Sequence, residues 1–393
     1  MTATLAPRLP AFDLTRAPGV DDGHRAVAEA VRRFVEAEIA PNADAWDEAG
    51  TFPHELYRKA AAIGLLGLGY PEEYGGTPAD PVAKMFSAIE MARGGIGGVN
   101  ASLMSHTIMV WPILAGAAEP VRRQVLPAIF AGERIGALAV TEPGGGSDVA
   151  RLVTRAERVP GGYRVNGSKL YITSGIRADY LLVAVRTGGP GASGISLLLV
   201  DADSPGIART PLTKIGWWAS DTAAIYFDDV FVPQERLVGE QNAGWRLVMR
   251  NFNGERMGMA AGGLGFAMAC VEDALAWARG RQTFGARLVD HQVVRQKLVR
   301  MIDDVLPVAA WVLQLAQRLA AGESPAGEIA LAKSRAARLM RDCSGEAVQI
   351  LGGAGFMRGS RIERAWRDCK VYMIGGGAEE VMNDLAARQL GLV

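Results

Sequence analysis

The sequence predicts an α+β protein in which helices come first, then strands, then helices again. Three observations carry this. Apolar residues recur at helical spacing before about residue 133; short apolar runs separated by turn residues fill 134–243; a long three-and-four spacing resumes after Gly244. Blocks of like elements, instead of an alternation of strand and helix, argue against a doubly wound nucleotide-binding fold.

Each element has a local reason. Residues 1–20 carry three prolines and two arginines but no apolar stretch, so they read as a flexible tail and not a signal peptide. In the N-terminal helical domain (21–133), Val27, Val31, Phe34, Val35 and Ile39 share one helix face, and Pro41 is expected to end that helix. Gly94 to Gly98 and Pro112 mark further breaks. In the middle domain (134–243), Gly162-Tyr-Arg-Val leads into Asn166-Gly167, which reads as a tight turn. The runs 180–186, 195–200 and 224–230 read as strands, with turns at Gly188 to Gly191 and Ser204 to Gly206. In the C-terminal domain (244–393), Leu298, Met301, Val305, Val308, Val312, Leu315 and Leu319 form a bundle seam, kinked by Pro307.

Composition narrows the function. Lysine plus arginine and aspartate plus glutamate each number 42, so no net basic charge favours nucleic acid or an anionic membrane. A 49% hydrophobic and 21% charged composition is that of a globular chain. No apolar run is long enough to span a membrane. Cys270, Cys343 and Cys369 lie far apart and the four histidines are scattered, so no metal cluster is legible and a reducing, cytoplasmic setting is expected.

Four glycine-rich segments stand out. Thr141-Glu-Pro-Gly-Gly-Gly-Ser-Asp148 opens the strand zone and lets backbone approach a ligand, though a plain sharp connection explains it as well. Arg281-Gln-Thr-Phe-Gly285 suits either a diphosphate or an ordinary charged helix end. Gln349 to Gly355 and Ile374-Gly-Gly-Gly-Ala378 are helix stops or backbone cradles. Asn251-Phe-Asn-Gly-Glu-Arg256 places an acid-base pair in a small, apolar helix, where burial would raise the Glu255 pKa; a solvated ion pair is the plain alternative.

In this order, and over nearly the whole chain, the segments resemble the acyl-CoA dehydrogenase family of flavoproteins. Thr141 to Asp148, Asn166-Gly-Ser-Lys-Leu-Tyr-Ile-Thr-Ser-Gly175, Phe227-Asp-Asp-Val-Phe-Val-Pro233, Arg281 to Gly285, His291-Gln292 and Gln349 to Gly353 carry the likeness. It implies a middle antiparallel β-barrel-like domain, a C-terminal four-helix bundle, and a homotetramer or dimer with FAD at the subunit interface. It implies that Leu138, Val140, Thr141, Gly146, Ser147, Tyr171, Ile172 and Thr173 serve the isoalloxazine end. Arg281, Thr283, Phe284, Gln292, Gln349, Gly352, Gly353 and Glu380 would serve the rest of the cofactor. Ser147, Asn253, Arg256, Gly376 and Gly377 would meet an acyl-CoA, and an electron-transfer flavoprotein would take the electrons.

Many members carry their base in a loop before the last helix, where this chain has Gly376. A subset, resembling isovaleryl- and long-chain acyl-CoA dehydrogenases, places it before an arginine on the helix after the β domain, where Glu255-Arg256 stands. The resemblance therefore assigns Glu255 as base, the Gly376 N–H as an oxyanion donor, and free space at Gly376 for a branched or long acyl chain. Trp218 is bulky where many members are polar, and is expected to alter the approach to the CoA arm. A thioester on a carrier protein, a flavin monooxygenase or oxidase, and a flavin-free scaffold remain as alternatives on the same fold.

Overall fold

The structure, a computed structural model, describes residues 5–393. The N-terminal helices are α1 (Asp22–Phe34), α2 (Ala43–Ala49), α3 (Glu55–Ala62), α4 (Pro81–Arg93), α5 (Gly97–Leu103), α6 (Thr107–Gly116) and α7 (Glu119–Phe130). Eight strands follow: β1 (Gly136–Ala139), β2 (Arg155–Val159), β3 (Gly162–Thr173), β4 (Tyr180–Arg186), β5 (Ile195–Asp201), β6 (Ile207–Pro211), β7 (Thr222–Pro233) and β8 (Leu237–Val238). The C-terminal part comprises α8 (Gly244–Gly280), a small hairpin of β9 (Gln282–Thr283) and β10 (Ala286–Arg287), α9 (Gln292–Ala320), α10 (Ala326–Leu351), α11 (Gly353–Phe356), α12 (Arg361–Ile374) and α13 (Glu379–Gln389). The α+β order expected from sequence is the order observed.

The sheet runs β6-β7-β3-β2-β4-β5-β8, with β1 beside β4. Its pairings are antiparallel except β1 with β4 and a single parallel contact of β2 with β4. Strand alternation splits β4 and β5 between two cores: Leu181, Val183, Val185, Leu198 and Val200 face one, while Leu182, Ala184, Leu197 and Leu199 face the other. Among the described residues, the first of these is lined by strands β1 through β7 and their connecting loops and by no helix, so the sheet curls over its own interior. The second is capped by α6 and α7 and by the start of α8. This two-sided burial explains why these strands read as continuous apolar runs.

Three turn signals resolve differently from their sequence reading. Asn166-Gly167 is not a turn but a bulge inside the twelve-residue β3: the register shifts there, Gly167 takes φ +145°, and Asn166 Oδ1 accepts the Asp229 N–H at 2.9 Å. The tight turn lies instead at Pro160-Gly161, between the paired Val159 and Gly162. Pro41 does not stop the chain's helical course. A π turn (Val35–Ile39) and a 3-10 turn (Ala40–Asn42) carry it into α2, and Pro41 sits in the first turn of the latter, where its missing N–H is not needed. Pro112 lies inside α6, and the Ile108 carbonyl it deprives of a partner accepts from Asn251 Nδ2 at 2.6 Å.

The C-terminal core is built around α8. A Cβ on Gly265 would lie 2.5 Å from the Ile89 carbonyl, so only glycine allows α4 this close. The expected α9 seam faces the same core, which also takes Val82, Met85, Phe86 and Ile89 from α4. Among the described residues α8 is the only helix long and apolar enough to cross a membrane, and most of it is buried in the protein.

Residues 5–20, expected to hang loose, are held by the same core. Phe12 is buried, Arg8 pairs with Glu90 at 2.5 Å, the Leu9 N–H donates to Glu272 at 2.8 Å, and Gln317 Nε2 donates to the Pro18 carbonyl at 2.7 Å. The physical reason is that Glu90 and Glu272 are buried carboxylates, and the tail supplies donors they require.

Candidate active site

Three groups of candidate residues occupy two places in the fold. The first group surrounds the end of β1. Lys169, fully buried on β3, donates to the Val140 carbonyl at 3.1 Å and to Glu142 Oε1 at 2.7 Å. Glu142 also accepts the N–H groups of Val153 and Thr154 at 2.7 and 2.9 Å. Burial lowers the Lys169 ammonium to about 8; Glu142 is held below the usual carboxylate range by Lys169 and its hydrogen bonds, against burial. The Leu170 N–H donates to the Thr141 carbonyl at 2.8 Å, which ties the Thr141 segment to the Tyr171 segment.

A register shift between Lys169 and Ile172 turns Tyr171 outward at φ 61°, 66% exposed. Thr141 and Thr173 are half-buried, and Gly146 and Ser147 are exposed. Positions where Cβ atoms on Gly144 and Gly146 would stand have no neighbour within 4 Å, so the loop offers bare backbone. Leu138, Val140 and Ile172 point into the two β cores, and only their backbone is free to meet a ligand.

The second group lies on the first half of α8. Phe252 packs on the cluster that holds Leu138 and Val140, which brings this helix against the first group. One residue past Glu255, buried Arg256 donates from Nε to the Gly376 carbonyl at 3.2 Å and from Nη1 to Asn253 Oδ1 at 3.2 Å. Glu255 is half-buried, and a Cβ on Gly376 would lie 3.8 Å from its Oε1. Burial pushes the Glu255 carboxyl up to about 7, against the pull of Arg256 and Lys333. Gly376 and Gly377 take φ of +66° and +108°, a backbone that L side chains resist. Among the described residues the Gly376 N–H has no backbone acceptor.

The space expected at Gly376 is not empty. A Cβ there would stand 2.6 Å from Met259 Sδ, so Met259, one helical turn beyond Glu255, fills the volume. Nor does Trp218 face this region. Its ring lies between Arg358 at 4.1 Å and Arg367 at 3.8 Å, and its Nε1 donates to the Lys214 carbonyl at 3.1 Å. It ties the loop before β7 to α12.

The third group sits at the far end of the bundle. Phe284 and Gly285 form a two-residue turn at φ 51° and 79°, and the Phe284 ring is fully exposed. Thr283 bonds His291 at 3.1 Å; Arg281 and Gln292 are exposed beside them. Lys297 pairs with Glu346 at 2.9 Å, so the end of α10, with Gln349, Gly352 and Gly353, shares this end. Gly352 at φ +60° and Gly353 have open Cβ positions. Glu380, expected with this group, lies instead at the Glu255 end, exposed in the first turn of α13 four residues past Gly376. Between Glu255 and Arg281 the helix advances about 1.5 Å per residue, on the order of 39 Å in all.

Sequence reasoning about the site missed two residues. Lys333 follows Ile329 and precedes Ala336 and Met340 on the apolar face of α10; a lysine at a core position was the available signal. Met259 carried none.

The chain is similar to known proteins along most of its length. Family models of the acyl-CoA dehydrogenase N-terminal, middle and C-terminal domains match residues 21–133, 137–230 and 242–391. The chain is 32% identical to the mitochondrial isovaleryl-CoA dehydrogenase of Oryza sativa subsp. japonica, over 94% of this chain and 91% of that one. Among solved structures, a putative acyl-CoA dehydrogenase from Mycobacterium smegmatis is 41% identical with a TM-score of 0.92, covering 94% of this chain and 98% of its own. A glutaryl-CoA dehydrogenase from Mycobacterium smegmatis in complex with FADH2 is 25% identical with a TM-score of 0.92, covering 99% of both chains.

Proposed function

Since the chain belongs to the acyl-CoA dehydrogenase family of flavin-dependent oxidoreductases, we propose that it removes two hydrogens from an acyl-CoA thioester to give the trans-2-enoyl-CoA, with Glu255 as base. One observation carries the choice of Glu255: its carboxylate stands 3.8 Å from the Cβ position of Gly376, so the helix delivers an acid beside the glycine loop.

The chain's residues fit FAD. The bare backbone at Gly144 and Gly146, the outward Tyr171 and the half-buried Thr141 and Thr173 form one cradle; exposed Arg281, Gln292, Phe284, Gln349 and the open Gly353 form the other. When bound, the flavin supplies a hydride acceptor. The two cradles lie far apart on one chain, so the second is assigned to a cofactor held by a neighbouring copy, as a homotetramer or dimer would provide.

The residues act as follows. Glu255 takes the proton from the carbon next to the thioester carbonyl. The unengaged Gly376 N–H donates to the carbonyl oxygen as negative charge gathers there, and Arg256 restrains the adjoining peptide plane through the Gly376 carbonyl. Burial gives Glu255 a pKa near the working pH, where a general base is most effective. Met259 borders the reacting carbons and limits bulk at that point. The electrons pass on to an electron-transfer flavoprotein.

The test is anaerobic bleaching of the bound flavin by butyryl-, isovaleryl-, palmitoyl- and phenylpropionyl-CoA. The wild-type flavin bleaches with at least one of them. Glu255→Gln retains yellow FAD and is reduced more slowly by at least a thousandfold; reduction at the wild-type rate removes Glu255 from the mechanism.

A further inference from the structure

Lys333 is 1% exposed, in the middle of α10, and its ammonium donates to the Gly377 carbonyl at 2.7 Å. Its Cε lies 3.9 Å from the Cβ position of Gly376, the same point that Glu255 Oε1 approaches to 3.8 Å. A buried lysine with three donors and a single carbonyl partner is costly to maintain unless its charge is also used. We propose that Lys333 is a positioning residue for this site: its bond to the Gly377 carbonyl fixes the glycine loop against α8, and its charge faces the Glu255 carboxylate. The inference rests on Glu255 being the base.

The loop needs such a fixture. Gly375, Gly376 and Gly377 have no side chains to anchor them, and two of them sit at positive φ. Two cations grip consecutive carbonyls from different helices, Arg256 of α8 on Gly376 and Lys333 of α10 on Gly377. Those carbonyls belong to the 376–377 and 377–378 peptide planes, so both planes are held, and the 375–376 plane that carries the Gly376 N–H hangs from a fixed neighbour. Removing Lys333 would free one end of a three-glycine loop, and the oxyanion donor would lose its aim.

The charges around the pair are few. From α8 come Glu255 and Arg256; from α13 comes Glu379, which is paired with Arg338 of α10 at 2.8 Å. Among the described residues, no titratable group of α9 or α12 acts on either Glu255 or Lys333. Lys333 is therefore one of two cations opposing the burial of the Glu255 carboxylate. Loss of a facing cation disfavours the ionised acid, so more of the base is protonated at a given pH.

The experiment is the pH dependence of anaerobic flavin reduction, read by stopped flow on the FAD-loaded enzyme with the acyl-CoA that best bleaches the wild type. In the wild type the rate rises with pH through about 7. In Lys333→Met the limb moves up by about one pH unit, and the plateau rate at high pH falls about tenfold or more as the loop loosens. Lys333→Gln keeps an N–H for the Gly377 carbonyl and drops the charge: its limb moves likewise, while its plateau stays within about threefold of wild type. This second variant carries the test if Lys333→Met does not take up FAD. An unmoved limb in FAD-loaded Lys333→Gln overturns the electrostatic role, and equal plateaus in both variants overturn the loop-fixing role. Glu255→Gln run alongside separates the two readings. If it reduces flavin normally, the base assignment has failed; if it is dead while the Lys333 variants behave as wild type, only the inference about Lys333 has failed.

Discussion

Replacing Glu255 by glutamine should stabilise the protein at alkaline pH while it disables the chemistry. The folded protein raises this carboxyl from 4.5 to about 7, chiefly by burial. An acid whose folded pKa exceeds its unfolded one destabilises the fold wherever the unfolded chain is ionised and the folded chain is not. The cost starts near pH 4.5, grows through the interval to about 7, and is constant above it. A shift of this size corresponds to a ceiling of about 3 kcal/mol, since one unit is about 1.4 kcal/mol. Glutamine keeps the shape and carries no charge, so it escapes the cost. Urea unfolding of the ligand-free wild type and Glu255→Gln, at pH 5 and at pH 8, measures the difference. The expected result is a variant more stable by about 3 kcal/mol at pH 8 and by less than about 1 kcal/mol at pH 5. A variant that is less stable at pH 8, or equally shifted at both pH values, would refute the claim that burial of an ionised Glu255 is costly.

The glycine loop and the β1 end give two further expectations. Gly376→Ala meets Met259 Sδ at 2.6 Å and a φ of +66°, whereas Gly375→Ala meets nothing closer than the Val371 carbonyl at 3.1 Å. The first should slow flavin reduction at least tenfold and the second should stay within a fewfold of wild type, by single-turnover rate; the reverse order would contradict the loop geometry. Lys169→Met leaves Glu142 buried without its cation, so it should lower stability by roughly 3–5 kcal/mol and release FAD at lower denaturant, followed by flavin fluorescence. Unchanged FAD retention would show that the Lys169–Glu142 pair does not hold the Thr141 and Tyr171 segments together.

Much of the site was readable because its markers are local. A bare glycine loop after Val140, an arginine beside Phe284-Gly285, and Glu255-Arg256 in a small-residue helix are all contiguous. Packing was less legible. The Asn166-Gly167 pair has the composition of a hairpin turn, but its partner Asp229 on β7 makes it a bulge. Pro112 looked like a helix break because a sequence does not show that Asn251, far along the chain, will satisfy the Ile108 carbonyl. The space inferred at Gly376 came from a missing side chain, and its filling by Met259 depends on a contact between two helices.

The sequence alone determined the order of helical and strand zones and the identity of the residues with chemistry to offer, because periodicity, turn chemistry and short motifs act between near neighbours. Only the tertiary structure decided which of those residues meet. It brought Glu255, Arg256, Lys333 and the 375–377 loop to one point, set Arg281 and Gln349 at the other end of a long helix, and drew the proline-rich tail onto buried Glu90 and Glu272. The reason is physical: burial and charge pairing are properties of space between distant segments, and no local pattern encodes how close α8 and α10 come, or what fills the gap between them.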